Sequence, residues 1–125
     1  MQKSHKIAGA LTVVVLLAAG LIAHQWAAHQ STTMESETAG LEQLVDTGSA
    51  HLEAGEYAEA IADLEAAVEM DPENSEVHFL LAQAYNRTDE LLKAADEFRI
   101  VIALDPDNAA AHHNLGVTYF QLQDP

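Results

Sequence analysis

Apolar positions along the chain follow two regimes. From Ile7 to Ala23 the sequence reads IAGALTVVVLLAAGLIA, with no charge, and the run extends through Trp26 to Ala28. From Leu41 onward the apolar positions recur at helical spacing. Leu41, Leu44, Val45, Gly48 and Leu52 share one face, and Tyr57, Ala60, Ile61, Leu64 and Val68 share another, the rhythm of amphipathic helices. Val77, Leu81, Ala82 and Tyr85, followed by Leu91, Ala94, Ala95, Phe98 and Val101, repeat the plan. Gly55 falls between the first two helices, where a C-terminal stop is needed. Asp71-Pro72 and Asp105-Pro106 close the second helix of each pair, and Asn74 and Asn108 are placed to cap the helices that follow. Residues 30–40, small and polar without a period, read as a flexible stalk.

Shifting the chain by 34 residues superposes Gly48, Ala82 and Gly116; His51, Tyr85 and Tyr119; Ala60 and Ala94; Leu64 and Phe98; and the two Asp-Pro pairs. A fixed period of this size indicates stacked helical hairpins. These phased residues resemble the tetratricopeptide-repeat (TPR) family, in which a small residue sits where the two helices of a hairpin cross. There an aromatic follows three positions on, and a proline ends the unit. Gly55-x-Tyr57-x-x-Ala60 in the first hairpin adds to the likeness. A larger side chain at the crossing would hold the two backbones apart. The chain departs from the family pattern at His51, which replaces the aromatic, and at His78 and His112, where members often carry Trp or Leu.

The fold class that follows is all-α: an N-terminal transmembrane helix and a short TPR α-solenoid of about two and a half helical hairpins. Residues 1–29 form the signal-anchor, 30–40 the stalk, 41–74 the first repeat, 75–108 the second and 109–125 the first helix of an incomplete third. That last helix, AAAHHNLGVTYFQLQ, carries Leu115, Val117, Tyr119, Phe120 and Leu122 around most of its circumference. Leu115, Tyr119 and Leu122 are expected to form an exposed surface. Three explanations stand open: a partner or second copy supplies the missing helix, giving self-association through the C-terminal helix; the sequence is a truncated product; or a short array tolerates the exposure.

The apolar run is long enough for a helix to span the hydrocarbon layer, about 30 Å at about 1.5 Å per residue. Lys3 and Lys6 precede it and no Lys or Arg follows until Arg87, an asymmetry that holds the N-terminus in the cytoplasm. The alternative is a signal peptide cleaved after Ala18-Ala19-Gly20, but the run continues through Leu21, Ile22 and Ala23. An uncleaved anchor over residues 7–28 is the favoured reading, and both place the repeats outside the cytoplasm. Ala19, Ala23 and Ala27 form a small-xxx-small row, for which simple lipid anchoring is the plainer use.

Charge narrows the partners. The chain holds 20 Asp and Glu against 5 Lys and Arg, and every acid lies at or beyond Glu35. Beyond the apolar run only Arg87, Lys93 and Arg99 oppose them. Such a surface repels phosphate backbones, excluding nucleic acid. It suits either a basic partner or, more plainly, solubility or a high-salt habitat. Cysteine is absent, so there is no disulfide framework and no catalytic thiol. Of the seven histidines, His78, His112 and His113 form the cluster to test as metal ligands, but adjacent helical residues diverge by about 100° and stacked repeats stand roughly 8–10 Å apart. No metal and no cofactor is expected. No nucleophile or phosphate-loop motif is present, and Glu65 and Glu69 read as a solvated helix face. Asn86-Arg87-Thr88 matches the N-glycosylation pattern, which chance accounts for. The chain is not expected to be an enzyme.

The TPR resemblance implies binding along the concave surface made by the first helices of the units. Carried over by position, that groove is Glu42, Val45, Ser49 and Leu52, then Glu76, Phe79, Gln83, Asn86 and Arg87, then His113, Val117 and Phe120. Members that grip C-terminal carboxylates place cations across this face, whereas Val45, Ser49 and Gln83 offer none. Phe79, Val117 and Phe120 suggest an apolar helix or extended segment, edged by acids that favour basic residues, although some of these side chains equally suit the core. The chain is also similar to bacterial single-span proteins with an exported TPR domain. That likeness implies an inner-membrane protein with periplasmic repeats that scaffolds or assembles other membrane or periplasmic proteins. The alternative is a small accessory structural subunit of one stable membrane complex.

Overall fold

The computed structural model describes residues 34–123, all of them helix or short turn. Five helices follow one another: α1 (34–54), α2 (Tyr57–Met70), α3 (Ser75–Arg87), α4 (Leu91–Leu104) and α5 (Ala109–Gln123). The chain divides into a unit of residues 1–38 and a unit of residues 39–125; the second holds the repeats and is described by itself. Residues 34–40, expected to belong to a stalk, are helical and continue into α1. The small polar residues there carry no helix breaker before Gly40, so the helix elongates at little cost beyond its apolar face. Among the described residues no helix is long and apolar enough to cross a membrane. The segment read as an anchor, residues 7–28, lies outside them.

Turn chemistry sets the hairpins. Gly55, at φ +79°, ends α1, and its repeat equivalent Asp89 takes the same left-handed conformation at φ +64°. In both turns the next amide reaches back to the helix: Glu56 N–H donates to the His51 carbonyl at 2.8 Å, and Glu90 N–H to the Tyr85 carbonyl at 2.9 Å. Asp is among the few residues besides Gly that enter this region readily. Between units, Asp71 and Asp105 precede proline and adopt φ near −140°, because the proline ring disfavours the helical conformation of its predecessor. The carboxamides of Asn74 and Asn108 then accept from Val77 N–H at 3.2 Å and Ala111 N–H at 3.0 Å, capping α3 and α5.

Each helix packs on the next: α2 on α3, α3 on α4, α4 on α5. The continuous core consists of Leu64 and Ala67 from α2, Val77, Leu81, Ala82 and Tyr85 from α3, Ala94, Phe98 and Val101 from α4, and Ala111 from α5. The crossing glycine behaves as steric reasoning requires. A Cβ on Gly48 would stand 2.9 Å from Cγ and Cδ2 of Leu64, which is fully buried.

His78 and His112, the departures from the family pattern, fasten the inter-repeat turns. His78 Nε2 lies 2.7 Å from the Pro72 carbonyl, and His112 Nε2 lies 2.9 Å from the Pro106 carbonyl. A carbonyl only accepts, so in each case the ring nitrogen carries the proton. His78 is buried and also meets Glu97 of α4 through Nδ1, at 2.6 Å.

Tyr85 couples the two hairpins by donating to Glu65 of α2 at 2.5 Å, with Lys93 Nζ over its ring at 5.4 Å. Burial pushes its phenol well above the ordinary tyrosine range, and the Glu65 carboxylate pushes the same way. The folded chain therefore holds this proton more tightly than the unfolded chain. Its contribution to stability is complete below the ordinary tyrosine pKa of about 10 and is lost as pH rises toward the raised value. Tyr85→Phe is expected to cost about 1 kcal/mol at neutral pH through the lost hydrogen bond and to flatten the alkaline decline. Urea denaturation from neutral to strongly alkaline pH, with and without the substitution, measures both.

Candidate protein-binding groove

The first helices of the three units, α1, α3 and α5, enclose an open groove of about 310 Å³ lined by Leu52, Glu53, Gln83, Asn86, Arg87 and Asn114. Leu52 and Glu53 come from the last turn of α1. Gln83, Asn86 and Arg87 come from the second half of α3, and Asn114 from the middle of α5. The 34-residue period carries each helix into register, so residues one repeat apart, Leu52 and Asn86, Glu53 and Arg87, line the same groove.

The interior is polar. Three carboxamides, one guanidinium and one carboxylate surround a single aliphatic side chain. Carboxamides both donate and accept, so they can bond a peptide main chain without dictating its side chains. Asn86 is oriented from behind by Thr118, a fully buried residue of α5. The Thr118 hydroxyl donates to the Asn114 carbonyl at 2.8 Å and accepts from Asn86 Nδ2 at 3.2 Å. Two lining residues on different helices are thereby tied through one hydroxyl.

The twelve positions expected to line the groove separate into groups. Leu52, Gln83, Asn86 and Arg87 meet in it. Val45 and Phe79 instead turn toward the interior: both are half-buried against the core, and the Phe79 ring meets Phe98 edge-on with centroids 5.7 Å apart. These are the positions that serve the core, because an apolar side chain beside α4 gains more by leaving water than by facing the groove. Ser49 is half-buried, while Glu42, Glu76, His113, Val117 and Phe120 are exposed, none of them among the groove's lining residues. Leu115, expected in an exposed final-helix surface, is half-buried and packs on the core, whereas Tyr119 and Leu122 are exposed. The correction follows from helix phase: Leu115 repeats Leu81 and turns inward toward α4.

Two lining residues, Glu53 and Asn114, escaped the sequence reading. Glu53 stands one period before Arg87, so the repeat register carries its signal. Asn114 repeats Leu80, which is half-buried against the core, and the register points away from it. Thr118 repeats Ala84, and no pattern marks it as a polar link. Among the described residues no group of His, Asp or Glu side chains is arranged to hold a metal ion.

The tetratricopeptide-repeat family model matches residues 45–109, just over half of the chain. The chain belongs to the tetratricopeptide-repeat family. No curated relative matches the sequence. Among solved structures this TPR chain is similar to MamA, with 29% identity, a TM-score of 0.64, and coverage of 66% of this chain and 48% of that one. MamA from Desulfovibrio magneticus RS-1, residues 41 to the end, shows 27% identity and a TM-score of 0.63 over 65% of this chain and 46% of that one. The TPR chain thus spans about half the length of the MamA structures it matches. The first TPR domain of Spaghetti (RPAP3), bound to the HSP90 peptide SRMEEVD, shows 26% identity and a TM-score of 0.64 over 66% of each chain. TPR domains bind other proteins and are in general interaction modules, not catalysts.

Proposed function

We propose that this TPR chain is a membrane-anchored protein–protein interaction scaffold of the bacterial cell envelope, holding partner segments in the groove between its first helices. The observation that carries the reading is the open groove in which α1, α3 and α5 bring together three carboxamides, Arg87, Glu53 and Leu52. A groove rich in carboxamides suits an extended main chain. The acids Glu42, Glu53 and Glu76 on the same helices outnumber its single cation, Arg87, and so oppose an acidic tail such as the peptide held by the RPAP3 domain and favour a segment with basic and apolar residues. The uncharged run over residues 7–28, with Lys3 and Lys6 before it, supports an inner-membrane anchor with periplasmic repeats.

The accessory-subunit reading has an observation of its own. Helix α5 contains no charged residue in a chain of net charge −15 and exposes Val117, Tyr119, Phe120 and Leu122. A mild-detergent pull-down of the full chain, with intact-mass analysis of the bait, separates the two. A bait retaining residues 1–30 with partners released by a groove variant supports the scaffold. For that variant, Glu53→Lys with Gln83→Arg removes the groove's one carboxylate and adds two cations beside Arg87, and is expected to lower capture of a basic segment about tenfold, the equivalent of about 1.4 kcal/mol, with helix content unchanged. One fixed membrane complex indifferent to the groove variant would favour the subunit, and a bait cut near Gly20 would sink the anchor.

A further inference from the structure

The second helices of the two complete hairpins differ on their outer sides in a way the repeat does not require. On α4 that side carries Leu92, 72% exposed, with Ile100 and Leu104 also exposed. Beside them stand Lys93 and Arg99, two of the three cations beyond the apolar run, both with well-exposed side chains. One period earlier, the outer side of α2 carries Ala58, Ala62 and Ala66 with Glu59, Glu65 and Glu69, and the helix holds no cation. Ala58 and Met70, the equivalents of Leu92 and Leu104, are exposed although α3 and α4 follow them in the array. Exposure at these positions therefore belongs to the outer side of the repeat itself.

The two outer sides match position by position. Leu92 and Ile100 fall one period after Ala58 and Ala66, and Lys93 and Arg99 one period after Glu59 and Glu65. Each large aliphatic thus answers to an alanine, and each cation to a carboxylate. The remaining charges do not spoil the match: Asp96 answers to Ala62 and Glu69 to Ala103, while Asp63 and Glu97 turn to His51 and His78 within their own hairpins. Lys93 and Arg99 meet only Glu90 and Asp96 of their own chain, at 3.1 and 3.5 Å, exposed pairs worth little and open to exchange. Glu65 accepts from Tyr85, and a carboxylate accepts more than one bond.

We infer that the outer sides of α2 and α4 are a self-association surface, on which α4 of one chain packs against α2 of a second copy and the reverse. The second helices of successive units run in the same direction. A twofold axis along that direction, between two chains laid outer side to outer side, sets α2 of each over α4 of the other at the same level, so equivalent repeat positions come face to face and both contacts form at once. The other twofold arrangement would set α2 against α2, acid upon acid, which like charges disfavour. No residue of either helix lines the groove, so this surface does not depend on the groove reading.

The test is sedimentation equilibrium of the full chain in density-matched detergent over the micromolar range, with circular dichroism of each variant. A reversible dimer is expected. Leu92→Glu, at a position too exposed to disturb the fold, weakens it at least tenfold. Glu59→Lys alone and Lys93→Glu alone each weaken it about tenfold, and the two together in one chain restore it, because both contacts again pair opposite charges. The absence of cysteine allows the register to be read directly: an Ala58→Cys chain mixed with a Leu92→Cys chain forms a disulfide between the two variants in preference to either with itself. Three outcomes overturn the proposal: the chain stays monomeric throughout; it dimerises equally well with Leu92→Glu, which places the contact on α5 or on residues 7–28; or the double charge reversal fails to restore what each single reversal removes.

Discussion

Gly48→Leu is expected to unfold the first hairpin, while the same substitution at Gly116 leaves stability unchanged or higher. The two glycines are equivalent in the repeat and opposite in surroundings. A Cβ at position 48 stands 2.9 Å from two carbons of Leu64, a fully buried side chain. The added leucine must therefore push α1 away from α2. Overpacking of this kind costs about 1–3 kcal/mol and occasionally more, and in an array whose units are stabilised mainly by their neighbours the loss propagates. At position 116 the Cβ meets nothing, and replacing a helical glycine is worth up to about 1 kcal/mol. Urea denaturation followed by circular dichroism measures both. A Gly48→Leu chain as stable as the parent would show that α1 does not cross α2 at this residue.

Phe98→Ala carries the second large effect. Phe98 is fully buried on α4, the helix packed against both α3 and α5, and its ring meets Phe79 edge-on. Truncation removes the aromatic contact and leaves a cavity that flanking helices fill only partly. The expected cost is about 4 kcal/mol, a large fraction of the stability of a domain this size. Phe120→Ala removes the same ring from a side chain 72% exposed and is expected to change stability by about 0.5 kcal/mol or less. Comparing the two in one denaturation series tests the core assignment directly, since equal effects would place Phe120 in a packed environment.

Much of the repeat unit could be read from spacing alone. Asn74 and Asn108 as caps and the Asp-Pro terminators are each decided within a few residues of backbone. Local sterics and main-chain hydrogen bonding therefore suffice to place them. The groove was legible only in part. Leu52, Gln83, Asn86 and Arg87 follow from the register, but Val45 and Phe79 share that register and turn to the core, because half-buried positions at the edge of a helix face are settled by what the neighbouring helix offers. The alpha-helical start of α1 before residue 41 also escaped, since a polar segment without a period bears no sign of helix continued from a packed one.

The sequence by itself determined the class of the protein: helical hairpins of 34 residues with a small residue at each crossing, and an uncharged run at the N-terminus outside the described residues. Only the tertiary structure decided which side chains meet across helices. The Asn86–Thr118 link, the His78–Glu97 contact and the contrast between Gly48 and Gly116 depend on distances between residues far apart in the chain or on what lies opposite. Periodicity records how often a face recurs; whether that face is covered is a matter of packing.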